Sequence, residues 1–382
     1  MDKETDLPNP QTSPLVSICI PAYNSELTLG ETLETILAQD YPNLDIVVSD
    51  NRSTDSTKAI VQKYAGRGVR YCTPSNRPEW AANLPSYIGA YINSNFVMSQ
   101  AHGEYLCLFH SDDLYEPSIV RQQAQIMRAY SNVGAVFTRM RMIGEDGRPI
   151  KQGLSKFPQK LREHPIFGFE SLLNETLNLF DFLPTPSVML RRSVVEKIGG
   201  FDERHFFTSA DLEMWLRIAY QGYEIAFIDQ PLLKYRISQR QFGEQYNKLR
   251  TTVGDFFIVL DHYLSQPAVQ ALAKAGPLRI YELRRATDKI LCAINLLTQA
   301  RIPEAITLLR QALQVQHLVT AFKRPHLLAR LVLGFCLLVI TRLGFGAIAG
   351  QLVYRAYQRN LQQRRKPLEN SKDANTKQEI PQ

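Results

Sequence analysis

The chain has 382 residues, 45% of them apolar and 21% charged, which suits about two or three globular domains able to build a sizeable core. The formal net charge is +7, but from Ala321 to Lys366 there are nine Lys or Arg and no acid; subtracting that +9 leaves the rest of the chain at −2. The basic character therefore belongs to one C-terminal segment, which argues against a nucleic-acid partner bound along the main domain. None of the five cysteines forms a CxxC pair, so a disulfide framework or a zinc site is not expected.

Residues 1–13 are polar and read as a disordered lead-in without an apolar secretory run, so a cytoplasmic location is expected. "LVSICI" (Leu15 to Ile20) is a continuous apolar run ending at Pro21, as a buried strand would. Leu29, Leu33, Ile36 and Leu37 follow at helical spacing. "LDIVVSD" (Leu44 to Asp50) is a second buried strand. "STDSTKAIVQKYAG" is a second helix, capped by Ser53 or Asp55 and ended by Gly66. "VRYCT" is a third strand, a helix is expected around Tyr87 to Gln100, and "YLCLFH" is a fourth strand. "PSIVRQQAQIMRAY" reads as a helix, "GAVFTRMRMI" as a strand and "GEDGRP" as a turn. Strands alternating with helices predict an α/β fold with a mostly parallel sheet flanked by helices.

Further on, "PSVMLRR" reads as a strand, "SVVEKIGGF" and "ADLEMWLRIAYQG" as helices, and "YEIAFIDQPLLKYR" as a strand pair around Pro231. Beyond about Thr251 the pattern turns helical, with an antiparallel pair meeting near Ile302 and Pro303.

In an open α/β sheet, ligands bind beyond the carboxyl ends of the strands. Here those ends carry "PAYN", "SDNRSTD" and "HSDD", three polar clusters that should face one crevice. Adjacent carboxylates at a strand end suit Mg2+ or Mn2+, whose charge offsets their repulsion. A reading without a ligand also accounts for each acid alone. Asp112 and Asp113 can complement the dipole of the next helix, Asp50 can hold a turn and Asp211 can cap its helix.

Three stretches in order, "VSICIPAYNSELTLGETLETILAQDYPNLDIVVSDNRSTDST", "AHGEYLCLFHSDDLYEP" and "GGFDERHFFTSADLEMWLRIAYQGY", resemble glycosyltransferase family 2 over about Leu15 to Arg236. The resemblance implies a GT-A-type, Rossmann-like fold and inverting transfer from a nucleotide-sugar donor. It implies that Pro21, Ala22 and Tyr23 line the nucleotide, that Asp50 accepts a hydrogen bond from the base and that Asn95 helps hold the donor region. Asp112 would bind the divalent cation, Mn2+ or Mg2+, with the diphosphate, Asp113 would orient the sugar or the loop, and Asp211 would be the general base. The pattern departs from the family at three positions: His110 replaces the first Asp of Asp-x-Asp, Ser49 precedes Asp50, and Ala210 precedes Asp211. An imidazole ligates Mn2+ more readily than Mg2+. The substitutions at 110 and 210 also fit an alternative, a catalytically inactive nucleotide-binding regulator or scaffold of the same fold. A nucleotidyltransferase fits poorly, since "PAYNSE" has neither glycine nor a basic residue to cradle phosphates.

The expected organisation is a GT-A domain over 14–245, a helical region over 246–320, basic apolar membrane-associating helices over 321–366 and a disordered tail over 367–382. The longest uncharged stretch before Arg342 is Leu331 to Thr341, too short for a spanning helix of about 20 residues. Extension to Tyr354 would place Arg342 mid-membrane at about 2.5–3.5 kcal/mol. A helix or hairpin lying in the interface costs less, because each arginine can meet an anionic headgroup. Spanning, lying on the membrane surface, packing on the catalytic domain and binding a partner all remain open. The implied acceptor is a glycan or a polyprenyl-linked molecule at the cytoplasmic face of a membrane, in envelope or exopolysaccharide assembly.

Overall fold

The computed structural model describes residues 13–74, 89–238 and 250–364. The disorder expected at 1–12 and 367–382 lies outside the described residues, and so does most of "YRISQRQFG" (Tyr235 to Gly243), which the sequence suggests as a loop over the donor with Arg236 or Arg240 meeting the diphosphate. Ser13 already belongs to the fold: it is buried, and its carbonyl accepts a hydrogen bond from Asn43 Nδ2 at 3.0 Å.

Among the described residues ten strands form one sheet: β1 (Val16–Ala22), β2 (Leu44–Asp50), β3 (Val69–Cys72), β4 (Tyr105–Leu108), β5 (Leu114–Tyr115), β6 (Val133–Ile143), β7 (Pro149–Leu154), β8 (Ile166–Phe167), β9 (Val188–Arg191) and β10 (Glu224–Arg236). Their order is β3-β2-β1-β4-β9-β6-β10-β5, with β7 on β6 and β8 on β10. β3, β2, β1 and β4 are mutually parallel, and so are β6 and β10. β9 lies between β4 and β6 antiparallel to both, so those two still point the same way. The sheet is therefore mixed, with its long strands parallel.

The strands read as unbroken apolar runs because both faces are covered. Val16, Ile18 and Ile20 face the helices Leu29–Leu37 and Ile119–Ala129. Cys19, Val47, Leu106 and Leu108 face the opposite core, which includes the helices Phe169–Leu179 and Ala210–Tyr220. Gly103 is required where the chain enters β4, because a Cβ there would lie 2.4 Å from the Ser17 nitrogen.

Two local expectations are corrected. The strand pair expected around Pro231 is one strand, β10, whose register against β6 shifts on both sides of Pro231. Proline has no N–H for the ladder, so the strand bulges there and resumes. The second helix, Thr57–Lys63, runs into a 3-10 turn and ends at Gly68, with φ 86°, instead of at Gly66.

C-terminal to the sheet, the helices Ala275–Thr298 and Ile302–Ala312 form the expected antiparallel pair and share a third core with Pro325–Arg342. That last helix and Gly346–Arg364 form a hairpin against Ala275–Thr298. The approach is close: a Cβ at Gly334 would lie 2.6 Å from Ile290 and one at Gly350 2.5 Å from Leu297.

Candidate active site

Parallel strands bring their carboxyl ends to one edge of the sheet. A cavity of about 670 Å3 opens there, lined by Pro21 and Ala22 at the end of β1 and Tyr23 just after it, Asn51 after β2, His110 and Asp112 after β4, Met140 and Glu145 of the β6 end, and Tyr235 and Arg236 of β10. Because β9 runs the other way, the loop preceding it reaches the same edge and contributes Asp181, Pro184 and Thr185. Two helices point their N-terminal ends at the cavity and supply Tyr91 and Asp211.

The loop bearing Asp112 and Asp113 is braced from distant parts of the chain. The Ser111 carbonyl accepts from Thr28 Oγ1 at 3.0 Å and the Asp113 carbonyl from Thr32 Oγ1 at 2.9 Å. The Asp112 carbonyl accepts from Arg236 Nε at 2.7 Å. Arg236 is itself held by Glu31 at 2.6 Å and by the Glu145 carbonyl at 2.8 Å. Its guanidinium therefore serves the loop backbone. Asp113 is fully buried because β5 follows at once and pairs antiparallel with β10, which sets the Arg236 N–H 2.8 Å from Asp113 Oδ1.

Asp113 Oδ2 is buried with no hydrogen-bond donor among the described residues. Burial first, then the Asp112 charge, push its carboxyl well above the usual carboxylate range, so ionisation there calls for a cation. Burial lowers the His110 pKa, opposed by the charges of Asp112 and Asp211, which favours the neutral imidazole that can ligate a metal. The ligand atoms of His110, Asp112 and Asp113 lie within 4.8 Å of one another. This donor set of one nitrogen and two carboxylates, one with an orphaned oxygen, fits a divalent cation.

Asp211 begins the helix Ala210–Tyr220 after a 3-10 turn in which Phe207 has φ 46°. That turn is tied down by Asp255, whose Oδ2 accepts from Thr208 Oγ1 at 2.7 Å. Asp211 Oδ1 accepts from the Leu212 N–H at 2.8 Å and Oδ2 from Thr185 Oγ1 at 2.7 Å. Burial raises its pKa, and the Thr185 and Leu212 donors and the nearby Tyr91 hydroxyl, itself bonded to the Thr208 carbonyl at 3.4 Å, pull it back down. A carboxylate raised in this way is a better proton acceptor than an ordinary one. Asp181 faces the same cavity; enclosure by the walls, then the nearby Asp211 charge, raise its carboxyl too.

Asp112 and Asp211 thus share one cavity, and His110 is near enough to feel both. Asp50 stands behind the cavity wall: it pairs in register with Ala22, and its carboxylate accepts from the Ser53 N–H at 2.8 Å and the Tyr71 hydroxyl at 3.0 Å. Asn95 faces away from the cavity, bonding the Phe201 N–H and carbonyl at 2.8 Å each, beside Gly200. Asn93 lines the cavity instead, with its amide donating to the Ser49 carbonyl at 2.9 Å. Sequence reasoning missed Asn93, Tyr91, Thr185 and Asp181. For Asp181 a signal existed, an acid inside "LFDFLPTPS" ahead of a proline turn.

The family model described as "Glycosyl transferase family 2" matches residues 17–199, and "Glycosyl transferase family group 2" matches 179–344. The chain is 24% identical over 245 residues to the putative teichuronic acid biosynthesis glycosyltransferase TuaG of Bacillus subtilis, covering 64% of this chain and 87% of that one. It is 25% identical over 238 residues to the amylovoran biosynthesis glycosyltransferase AmsB of Erwinia amylovora, covering 60% and 72%. Among solved structures, S. aureus TarS 1–349 superposes with a TM-score of 0.52 at 19% identity, covering 91% of this chain and 92% of that one, a likeness of fold.

Proposed function

We propose, from the premise that the chain belongs to glycosyltransferase family 2 and is a glycosyltransferase, that it moves one sugar from a nucleotide-sugar donor to a hydroxyl acceptor with inversion at the anomeric carbon. The observation that carries this reading is the meeting of Asp211 and Asp112, from different elements, in one cavity of about 670 Å3.

In this reading Pro21, Ala22 and Tyr23 hold the nucleotide, with Asp50 behind them. His110, Asp112 and Asp113 hold a divalent cation, which when bound supplies positive charge to the departing diphosphate. Asp211 takes the proton from the acceptor hydroxyl. The hydroxyl oxygen forms its bond to the anomeric carbon as the bond from that carbon to the diphosphate oxygen breaks. The nucleoside diphosphate leaves with the electron pair, on the face opposite the attack. Thr185 and the Leu212 N–H aim the Asp211 carboxylate, while Thr28, Thr32 and Arg236 fix the backbone that carries Asp112.

The relatives named for teichuronic acid and amylovoran biosynthesis support a glycan or polyprenyl-linked acceptor in cell-surface polysaccharide assembly. The basic apolar segment 321–366 supports peripheral attachment at the cytoplasmic face of a membrane. The test is turnover of a panel of nucleotide sugars by the purified chain with Mn2+, with the product's anomeric configuration read by NMR. A product that retains the donor's configuration would refute the mechanism, and failure to release nucleoside diphosphate from any donor would refute the activity.

A further inference from the structure

The helix Pro325–Arg342 buries one side against the long helix Ala275–Thr298 and turns the other outward, where Val332, Phe335, Val339 and Ile340 are exposed. The turn and second arm continue that surface with Leu343, Phe345 and Ile348. An 18-residue helix with its inner face packed in this way lies along a surface more readily than it spans one.

At the root of this hairpin five cationic or titratable groups gather from three parts of the chain: Lys156, Arg284, Arg324, His326 and Arg330. Arg324 Nη2 donates to Asn178 Oδ1 at 2.9 Å, which ties the root to a groove of about 650 Å3 lined by Lys156 and Asn178. The Arg284 guanidinium stacks 4.3 Å above the Phe180 ring, and its Nε is buried without an acceptor among the described residues. The carboxylates lining the groove are Glu163 and Glu175, and Asp229 sits beside it on Arg139 and Arg162; none of the three pairs with Arg284, Arg324, Arg330 or Lys156 among the described residues. The charges act on one another. Burial lowers the Arg284 pKa to about 10, reinforced by Arg324 and Arg330, and burial, then Arg284, Arg330, Arg324 and Lys156, lower that of His326. Gathering like charges costs free energy unless an anion meets them.

We propose that this cluster is a binding site for the phosphate of an anionic membrane-lipid headgroup, seated between Arg284, Arg324, Arg330 and Lys156 while the outward face of the hairpin enters the acyl region. Charge complementarity and the continuity of the cationic root with an exposed apolar face select this occupant. The site rests on the membrane attachment proposed above and adds that attachment is local, at one site, instead of spread over all nine basic residues of the segment.

The experiment is co-sedimentation of the full chain with vesicles of phosphatidylcholine, alone or with phosphatidylglycerol. Wild type is compared with Lys156→Gln/Arg330→Gln and with a control of equal charge loss, Arg342→Gln/Arg355→Gln; all four residues are exposed. Retained donor turnover checks the fold of each variant. The site predicts binding that needs phosphatidylglycerol, a drop of at least tenfold for the first pair, about fivefold per charge removed, and less than threefold for the control. Equal losses in the two pairs would overturn the site and leave the membrane reading standing. So would equal binding to neutral vesicles, or release of bound protein by a few millimolar inorganic phosphate. No binding of wild type to either vesicle would overturn both.

Discussion

Replacing Asp211 by Asn tests the chemistry most directly, because the structure separates its effect on rate from its effect on fold. The amide keeps the shape of the side chain, and its oxygen can still accept the Leu212 N–H that Oδ1 accepts at 2.8 Å. At the Oδ2 position an NH2 replaces an acceptor, so the Thr185 hydroxyl, which donates at 2.7 Å, must rotate and accept instead. Since the carboxylate is destabilised by burial, removing its charge offsets part of that loss, and the net cost in stability should be about 1 kcal/mol or less. The rate should change far more. General-base assistance is worth about 10²–10⁴-fold, or about 3–5 kcal/mol of barrier at about 1.4 kcal/mol per decade. Initial rates of nucleoside diphosphate release, with acceptor saturating, should show that fall in kcat and a donor KM within about twofold of wild type. Full activity in the variant, or a loss confined to donor KM, would refute the assignment of Asp211 as the base.

Three further outcomes are expected. Tyr91→Phe removes a nearby hydroxyl that lowers the Asp211 pKa; burial already raises that pKa, so it should rise further and the acidic limb of the kcat–pH profile should move to higher pH, since only the ionised form accepts a proton. An unmoved limb would separate Tyr91 from the base. EDTA should abolish transfer and Mn2+ should restore it better than Mg2+; His110→Asp should narrow that preference by exchanging an imidazole for a hard oxygen ligand, and an unchanged metal ratio would take His110 out of the site. Gly200→Ala puts a Cβ 2.2 Å from Asn95 Oδ1, which is anchored to Phe201, and should cost about 1–3 kcal/mol in urea denaturation. In the Asn95→Ala background the same change should cost markedly less, and simple additivity would show that the two residues do not meet.

Much of the fold and part of the site could be read along the chain. Apolar runs such as Leu44 to Asp50 declare a strand covered on both faces, and the polar residues that close each run declare the edge where ligands bind. These are local signals, carried by neighbours within a few residues, and they placed His110, Asp112 and the Pro21–Tyr23 segment on the cavity. Phase within a helix was harder to read: Asn93 and Asn95 are two positions apart, which on a helix turns them about 200° from one another, and only packing against Ser49 and Phe201 chose which one faces the cavity. The direction of β9 was also invisible, because a short apolar strand reads the same either way, yet its antiparallel course is what brings Thr185 and Asp181 to Asp211. The same holds for the loop at Ser111 to Asp113, whose three carbonyls are satisfied by Thr28, Thr32 and Arg236 from far along the chain. Sequence by itself determined which elements form and which chemical groups sit at their ends, since propensity and periodicity are short-range. Tertiary structure alone decided which groups meet and with what proton affinity, since burial and long-range hydrogen bonds exist only once the sheet has closed.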